Sequence, residues 1–184
     1  MTTRLQVGDP APDLTLFNGD GETTALSNEW HHGPVILNFL RHFGCTFCRQ
    51  AMARLEENRD DLAGVGLQVI NIAMGEPKHI KRYCGKLAPH LACLGRTDDT
   101  VYRAYGLREG NLQELANANV AKSALGEFLR GNVGGMPVGN MRMMPGTFII
   151  DTDGTVAYAY YSADIADHPT IDNLLQAAKN LKER

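Results

Sequence analysis

The amino-acid sequence predicts an α/β domain with a central mixed β-sheet flanked by helices. Two almost continuous apolar runs, 35–40 and 67–72, have the length and composition of buried strands. Amphipathic helical patterns follow them at 48–62 and 78–86, and strands that alternate with helices favour parallel pairing through right-handed crossovers. The segment 146–161 has a turn sequence between two strand-like halves. It predicts an antiparallel hairpin, which makes the sheet mixed.

Length and charge limit the classes of function that the chain can have. A chain of 184 residues has the usual size of one compact domain, so we expect residues 1–184 to form a single domain. The formal charge is −3, without a long run of Lys or Arg, which argues against nucleic acid or an anionic membrane as a partner. No apolar stretch has the length of a signal peptide or a membrane span, and we therefore expect a cytoplasmic protein.

The N-terminal region predicts a small hairpin added to this sheet. Residues 8–12 are a stiff, proline-containing segment, and the extended segment 14–17 runs into a tight turn at 18–21. We interpret this N-terminal β-hairpin extension as a lid. Further along, 91–94 has the pattern of a short strand and 99–105 that of a helical turn.

Residues 110–144 differ from the rest of the chain and predict an insertion before the late hairpin. A helix is expected over 112–129. The glycine-rich stretch 131–139 follows it, lacks the lysine ending of a phosphate-binding loop, and is interpreted as a mobile flap. A last amphipathic helix is expected from 171 to 181.

The chemistry is expected at Cys45 and Cys48, which follow the first buried strand directly. A thiolate at a helix N-terminus is stabilised by unpaired backbone N–H groups and by the helix dipole. A spacing of three places both sulfurs on the first helical turn, close enough to form a disulfide. One cysteine then attacks an oxidised sulfur or a peroxide oxygen, and the other closes an intramolecular disulfide that a separate reductant reopens. Arg41 and His42 lie just upstream, where inward-pointing side chains would lower the thiol pKa further.

A C-x-x-C pair also occurs as half of a zinc site or as two buried apolar side chains. Cys84 and Cys93 are the only source of further thiolates, and the gap between them exceeds the spacing of structural zinc knuckles. They are expected to be quiet core residues, with a second redox pair as the alternative. His168 has no second ligand at a metal spacing and is expected as a solvated loop side chain, so neither a metal nor another cofactor is predicted.

Three stretches of the chain carry a family resemblance: VILNFLRHFGCTFCR at 35–49, GDPAP at 8–12 and PGTFIID at 145–151. Together they resemble the peroxiredoxin group of alkyl hydroperoxide reductase and thiol-specific antioxidant proteins (AhpC/TSA), and more closely its C-x-x-C branch. The likeness covers nearly the whole chain and implies a thioredoxin-like fold.

The resemblance implies several further properties. Met144–Pro145 is expected as a cis peptide bond facing the cysteines, with a trans proline at a strand edge as the alternative. The partners implied are a peroxide or disulfide substrate and a thiol reductant such as thioredoxin or a small thiol, with a homodimer as the implied assembly. The side chains expected to contact the substrate are Arg41, His42, Thr46, Phe47 and Pro145.

Two departures from ordinary peroxiredoxins bear on the activity. Those enzymes carry P-x-x-x-T-x-x-C and a late arginine that polarises the peroxide. With Cys48 placed on the peroxidatic cysteine, Arg41 and Cys45 occupy the Pro and Thr positions, and Pro145 occupies the position of the late arginine, with Arg142 three residues earlier. The alignment favours Cys48 as the nucleophile, whereas the order of the motif in thioredoxins favours Cys45, which we choose.

The sequence therefore predicts a thiol-disulfide oxidoreductase of the peroxiredoxin-like group, with peroxide reduction as an additional activity. Two alternatives remain. One is a thioredoxin-dependent peroxidase, and the other is a non-catalytic or zinc-holding binding module on the same fold.

Overall fold

A mixed seven-stranded sheet forms the centre of the computed structural model, which describes residues 3–131 and 134–182. The strands are β1 (Thr15–Phe17), β2 (Thr23–Ala25), β3 (Val35–Phe39), β4 (Gln68–Met74), β5 (Ala92–Arg96), β6 (Gly146–Ile150) and β7 (Val156–Tyr161). Their spatial order is β2-β1-β5-β4-β3-β6-β7. β3, β4 and β5 are parallel, whereas β6 and β7 are antiparallel additions beside β3. The predicted fold class is confirmed.

Helices cover both faces of this sheet. They are α1 (Ser27–Trp30), α2 (Thr46–Glu57), α3 (Arg59–Gly64), α4 (Pro77–Leu87), α5 (Thr100–Ala104), α6 (Leu112–Leu115), α7 (Ala118–Leu129) and α8 (Ile171–Lys182). No helix within the described ranges is both long and apolar enough to cross a membrane.

Two of the predicted helices are each divided by an asparagine. Asn58 donates from its side-chain amide to Arg54 O at 2.7 Å, and its non-helical backbone separates α2 from α3. Asn117 caps α7 by accepting from Val120 N at 2.9 Å, after an extended Ala116 that ends α6. The helix expected over 112–129 is therefore two helices, because a side chain that bonds to nearby backbone competes with helix continuation.

The N-terminal hairpin is present, but its interpretation as a lid is wrong. β1 pairs with β2 and, through Phe17 opposite Gly95, with β5, so that the hairpin forms one edge of the sheet. Arg96 also donates to Thr15 O at 3.0 Å. Leu16 is buried in the main core. The alternating burial of the short strand, which places Leu16 inside, favours sheet pairing over a covering position.

A buried amide pair joins the two central parallel strands. Asn38 and Asn71 lie opposite each other in the β3–β4 register, and the side chain of Asn38 donates to Asn71 Oδ1 at 2.7 Å. Both residues are buried. The bond satisfies one donor of Asn38 and one acceptor of Asn71, while Asn71 Nδ2 has no hydrogen-bond partner among the described atoms.

Tyr102 of α5 ties the end of β3 to the core, and we expect Tyr102→Phe to be destabilising. The Tyr102 hydroxyl lies 2.7 Å from Leu40 O and 3.1 Å from Ile72 O, in a fully buried position. Its loss leaves Leu40 O without this donor, so the free energy of unfolding should fall by about 1–3 kcal/mol in urea titrations. The matched variant Tyr105→Phe removes a hydroxyl bond from the half-buried Pro12 O and should cost less. An equal fall in the free energy of unfolding in both variants would contradict the assignment of the Tyr102 hydroxyl as the stronger tie to the core.

Candidate active site

The cysteine pair lies where β3 gives way to α2. Leu40 N continues the sheet by donating to Ile72 O at 2.8 Å, and the chain then turns so that Cys45 N donates to His42 O at 3.1 Å. Cys45 is the residue that caps α2. The prediction that the cysteine pair begins at a helix N-terminus is confirmed, because Cys45 caps α2.

Cys45 Sγ has surroundings that favour the thiolate. It accepts from the backbone N–H of Cys48 at 3.5 Å and from Arg41 Nη1 at 3.9 Å. A hydrogen bond from the Cys48 thiol, the Cys48 N–H and the Arg41 charge together lower the pKa of Cys45 to about 6, against the opposing effect of burial. Although the residue is only 4% exposed, it lines an open cavity of about 230 Å³. Cys45 is thus the more acidic of the two thiols.

Cys48 has the opposite character. Its side chain is fully buried on the inner face of α2, and burial raises its pKa well above the ordinary value. Arg41 N donates to its sulfur at 3.3 Å. The two thiols are therefore different chemically, with an ionised sulfur at the cavity and a protonated sulfur behind it.

The hydrogen bond between the thiols gives a prediction about pH. In Cys48→Ala the donor to Cys45 Sγ is lost, so the pKa of Cys45 should rise from about 6 toward the ordinary cysteine range. Cys48→Ser keeps a hydroxyl donor and should retain more of the depressed pKa. The rate of iodoacetamide alkylation of Cys45, measured from pH 5 to 9, reports the change. Identical profiles for the two variants would contradict this origin of the shift.

Arg41 and His42 differ in what they contribute. The Arg41 guanidinium contacts Cys45 Sγ, donates to Met141 O and lies 3.4 Å from His42 Nε2. Burial, and then the nearby Arg41 charge, lower the pKa of His42 to about 4. His42 is therefore neutral near pH 7 and supplies no positive charge to the thiols. Of these two residues, only Arg41 is a cation that lowers the pKa of the thiol.

A segment of the insertion crosses the cysteine loop, and we call its residues 134–141 the strap. Gly135 N donates to Gly44 O at 3.0 Å, and a Cβ placed on Gly44 would lie only 2.4 Å from Gly135 O. The bond from Arg41 to Met141 O holds the other end of the strap. Asn132 and Val133, which belong to the flap expected at 131–139, lie outside the described residues. The mobility of that flap stays a prediction.

Cys84 and Cys93 form a disulfide, which corrects the expectation of quiet core thiols. Cys84 lies on α4 and Cys93 on β5, with a Cα–Cα distance of 6.4 Å. The sheet brings them together because α4 packs back onto the strand that follows it. A disulfide offers no thiolates, so this pair does not complete a zinc site with Cys45 and Cys48.

The Met144–Pro145 bond is trans, and the expectation of a cis bond is wrong. Met144 N donates to Arg108 O at 2.9 Å and Gly110 N donates to Arg142 O at 2.7 Å, so an extended segment is held before β6. A trans bond carries that segment directly into the strand. Pro145 lines a separate small cavity with Arg108 and Tyr161, while Thr46 and Phe47 line the Cys45 cavity.

One residue at the cavity had no signal in the sequence, and the expectation for a second residue was wrong. Ala124 of α7 lines the Cys45 cavity, and only the placement of the inserted helix reveals this. His168, expected as a solvated side chain, has a buried Nε2 without a hydrogen-bond partner among the described atoms, and burial lowers its pKa to about 4. It lies behind α2, beside Arg54 and Asn38, rather than at the cysteines.

Comparison with known proteins agrees with this architecture. A Mycobacterium tuberculosis protein provisionally named as a peroxiredoxin is 25% identical over 167 residues, which cover 91% of this chain and 92% of that protein. Peroxiredoxin Bcp of Escherichia coli is 26% identical over 103 residues, or 56% of this chain and 65% of Bcp. The crystal structure of peroxidoxin BcpB from Mycobacterium tuberculosis superposes with a TM-score of 0.70 at 19% identity, covering 97% and 99% of the two chains.

The model of one protein family matches residues 7–159, a range that includes both cysteines of the pair, the sheet from β1 to β6 and the insertion. From this match, the chain belongs to the AhpC/TSA family.

Proposed function

We propose that the protein is a thiol-disulfide oxidoreductase that works through the Cys45–Cys48 pair. The observation that carries the proposal is the division of the two thiols. Cys45 has a pKa lowered to about 6 and lines a cavity, while Cys48 is fully buried one turn behind it with a raised pKa. This division supports one attacking and one resolving sulfur. Membership of the AhpC/TSA family supports an enzyme of the oxidoreductase class.

The proposed reaction reduces a substrate disulfide in two exchanges. The Cys45 thiolate attacks one substrate sulfur, forms a mixed disulfide and releases the other substrate sulfur as a thiolate that takes up a proton. Cys48 then gives up its proton and attacks Cys45 Sγ, which releases the second substrate thiol and closes the Cys45–Cys48 disulfide. An external thiol reductant must supply two electrons and two protons to reopen it.

Peroxide reduction is the second candidate, and one contact favours it. Arg41 Nη1 lies 3.9 Å from Cys45 Sγ and supplies a cation where a peroxide oxygen would be attacked. Attack by Cys45 would release an alcohol or water and leave a sulfenic acid, which Cys48 would convert to the disulfide with loss of water. Arg142, the arginine three residues before the position that the late arginine of ordinary peroxiredoxins occupies, pairs with Glu109 at 3.6 Å.

Counting free thiols tests the proposal. Because Cys84 and Cys93 are already joined, the reduced pair gives two titratable thiols per denatured chain, and mild oxidation should remove both within one chain. Bound zinc together with thiols that resist oxidation would instead support the binding module. Consumption of hydrogen peroxide and of a model disulfide, each measured with a thiol reductant, then separates the two enzyme activities.

A further inference from the structure

The second half of helix α7 buries a charged residue and exposes apolar ones, although Val120 in its first half packs against the core. In the second half Glu127 is turned toward the body of the protein, only 3% exposed, and accepts from Gln50 Nε2 at 2.7 Å and from Arg130 Nη1 at 2.8 Å. The outward residues of this half are Leu125, Phe128 and Leu129, which are 60%, 67% and 76% exposed. A surface helix normally buries its apolar side, so this apolar face is available for contact with another molecule.

This apolar face begins at the cysteine cavity. Ala124 lines that cavity together with Cys45, and Phe128 lies one helical turn beyond Ala124 on the same side of α7. Leu125 and Leu129 continue the face outward, and we call Ala124, Leu125, Phe128 and Leu129 the α7 stripe. A molecule that covers the α7 stripe therefore also reaches the mouth of the cavity that contains Cys45 Sγ.

The charges around the α7 stripe indicate the chemistry of its occupant. Lys122 is exposed on α7, and Arg41 lines the cavity together with Ala124. Arg130, which follows the last residue of α7, is paired with Glu127 at 2.8 Å and adds no uncompensated charge. Positive charges around an apolar centre favour a partner with an apolar centre and an acidic surround. Three large exposed side chains over a helix of 12 residues correspond to a protein surface rather than to a peroxide molecule.

The position of the α7 stripe also argues against a permanent occupant. A second copy of the chain fixed on the stripe would cover the mouth of the cavity, and Cys45 itself is only 4% exposed. The disulfide formed in the proposed reaction would then be closed to its reductant. A partner that binds transiently, exchanges electrons and leaves can cover the α7 stripe and still leave the Cys45 cavity open between reactions.

We propose that the α7 stripe is the docking surface for the reductant, a small acidic protein whose dithiol lies within an apolar surface. This inference rests on the proposed function. One partner thiolate attacks Cys45 Sγ of the Cys45–Cys48 disulfide, and Cys48 leaves and takes up a proton. The second partner thiolate then attacks the partner's own sulfur in the mixed disulfide and releases Cys45 as a thiolate. The partner dithiol is oxidised to a disulfide and the Cys45–Cys48 disulfide is reduced.

The test compares protein and small-molecule reductants on one surface variant. The full chain is oxidised, and the release of the Cys45 and Cys48 thiols by reduced thioredoxin, dithiothreitol or glutathione is followed by rapid quenching and alkylation. The triple variant Leu125→Gln, Phe128→Gln, Leu129→Gln should lower the second-order rate constant with thioredoxin about tenfold or more, since apolar anchors dominate interface energies. The rate with dithiothreitol should change by less than about twofold, because no partner surface is involved.

Val7→Gln is the matched control. Val7 is 50% exposed and precedes Gly8, which bonds to Val156 at the start of β7, at the end of the sheet opposite the cysteines. The Val7→Gln variant should react with thioredoxin at the same rate as the unmodified chain.

Three outcomes would overturn the docking surface. The first is an unchanged rate constant with thioredoxin in the triple variant. The second is a shift from dimer to monomer in that variant. The third is a reaction with glutathione that is faster than the reaction with thioredoxin and that becomes slower in Arg49→Gln. The last result would move the reductant to the groove of about 470 Å³ beside α2, which Arg49 and Arg54 line. If the disulfide neither forms nor is reduced by dithiothreitol, the proposed function fails instead.

Discussion

Cys45→Ser is expected to lower the rate of disulfide exchange by roughly a thousandfold or more, because the ionised sulfur at the cavity is the attacking atom and a serine hydroxyl is not ionised near neutral pH. Cys48→Ser should behave differently. Its first exchange remains, but the mixed disulfide between Cys45 and the substrate is not resolved, so the variant should stop after one turnover. Stopped-flow kinetics with a chromogenic disulfide, followed by intact-mass spectrometry, distinguishes a dead variant from a trapped adduct.

The control for this pair is the double variant Cys84→Ser, Cys93→Ser, which removes the other disulfide and should retain both exchanges. The reverse pattern, with a trapped adduct in Cys45→Ser and no reaction in Cys48→Ser, would make Cys48 the nucleophile. That outcome would restore the assignment that the peroxiredoxin alignment favours.

Gly44→Ala is expected to detach the strap from the cysteine loop. A Cβ on Gly44 would lie 2.4 Å from Gly135 O and 2.7 Å from two backbone atoms of Met136, which is closer than real contacts allow. The strap must move, so we expect faster alkylation of Cys45 by a bulky maleimide, by about tenfold if local opening becomes easier by about 1.4 kcal/mol. The free energy of unfolding should fall by about 1–3 kcal/mol.

Gly64→Ala is the matched control for this substitution, because a Cβ at that helical position meets no atom within 4 Å. It should leave the alkylation rate unchanged and stabilise α3 slightly. An unchanged maleimide rate in Gly44→Ala, together with an unchanged unfolding free energy, would show that the strap does not restrict access to Cys45.

The sheet could be predicted because its strands are strong local patterns. The apolar run at β3 and the two halves of the late hairpin appear within one or two residues of their predicted positions. The helix ends at Asn58 and Asn117 were missed because an asparagine within a helical pattern is compatible both with continuation and with a break. Its side-chain bond, seen only in three dimensions, decides between them.

The chemistry of the site was less accessible to sequence reasoning than its location. The motif spacing places Cys45 at the cap of α2, but a sequence does not show which way Arg41 and His42 point. The Cys84–Cys93 bond depends on how α4 packs on β5, which no local pattern encodes. The contact of the strap with Gly44 joins segments about ninety residues apart through backbone atoms alone, so side-chain identities give no signal for it.

The amide pair of Asn38 and Asn71 has a consequence for how these strands tolerate change. Replacing either residue alone leaves the other amide without its partner in the core, at a cost of about 1–3 kcal/mol, whereas replacing both by apolar side chains removes that penalty. A doubly apolar version would, however, lose the polar match that distinguishes the native alignment of the strands from one shifted along its neighbour. We therefore expect the two positions, 33 residues apart in the chain, to tolerate substitution together rather than singly.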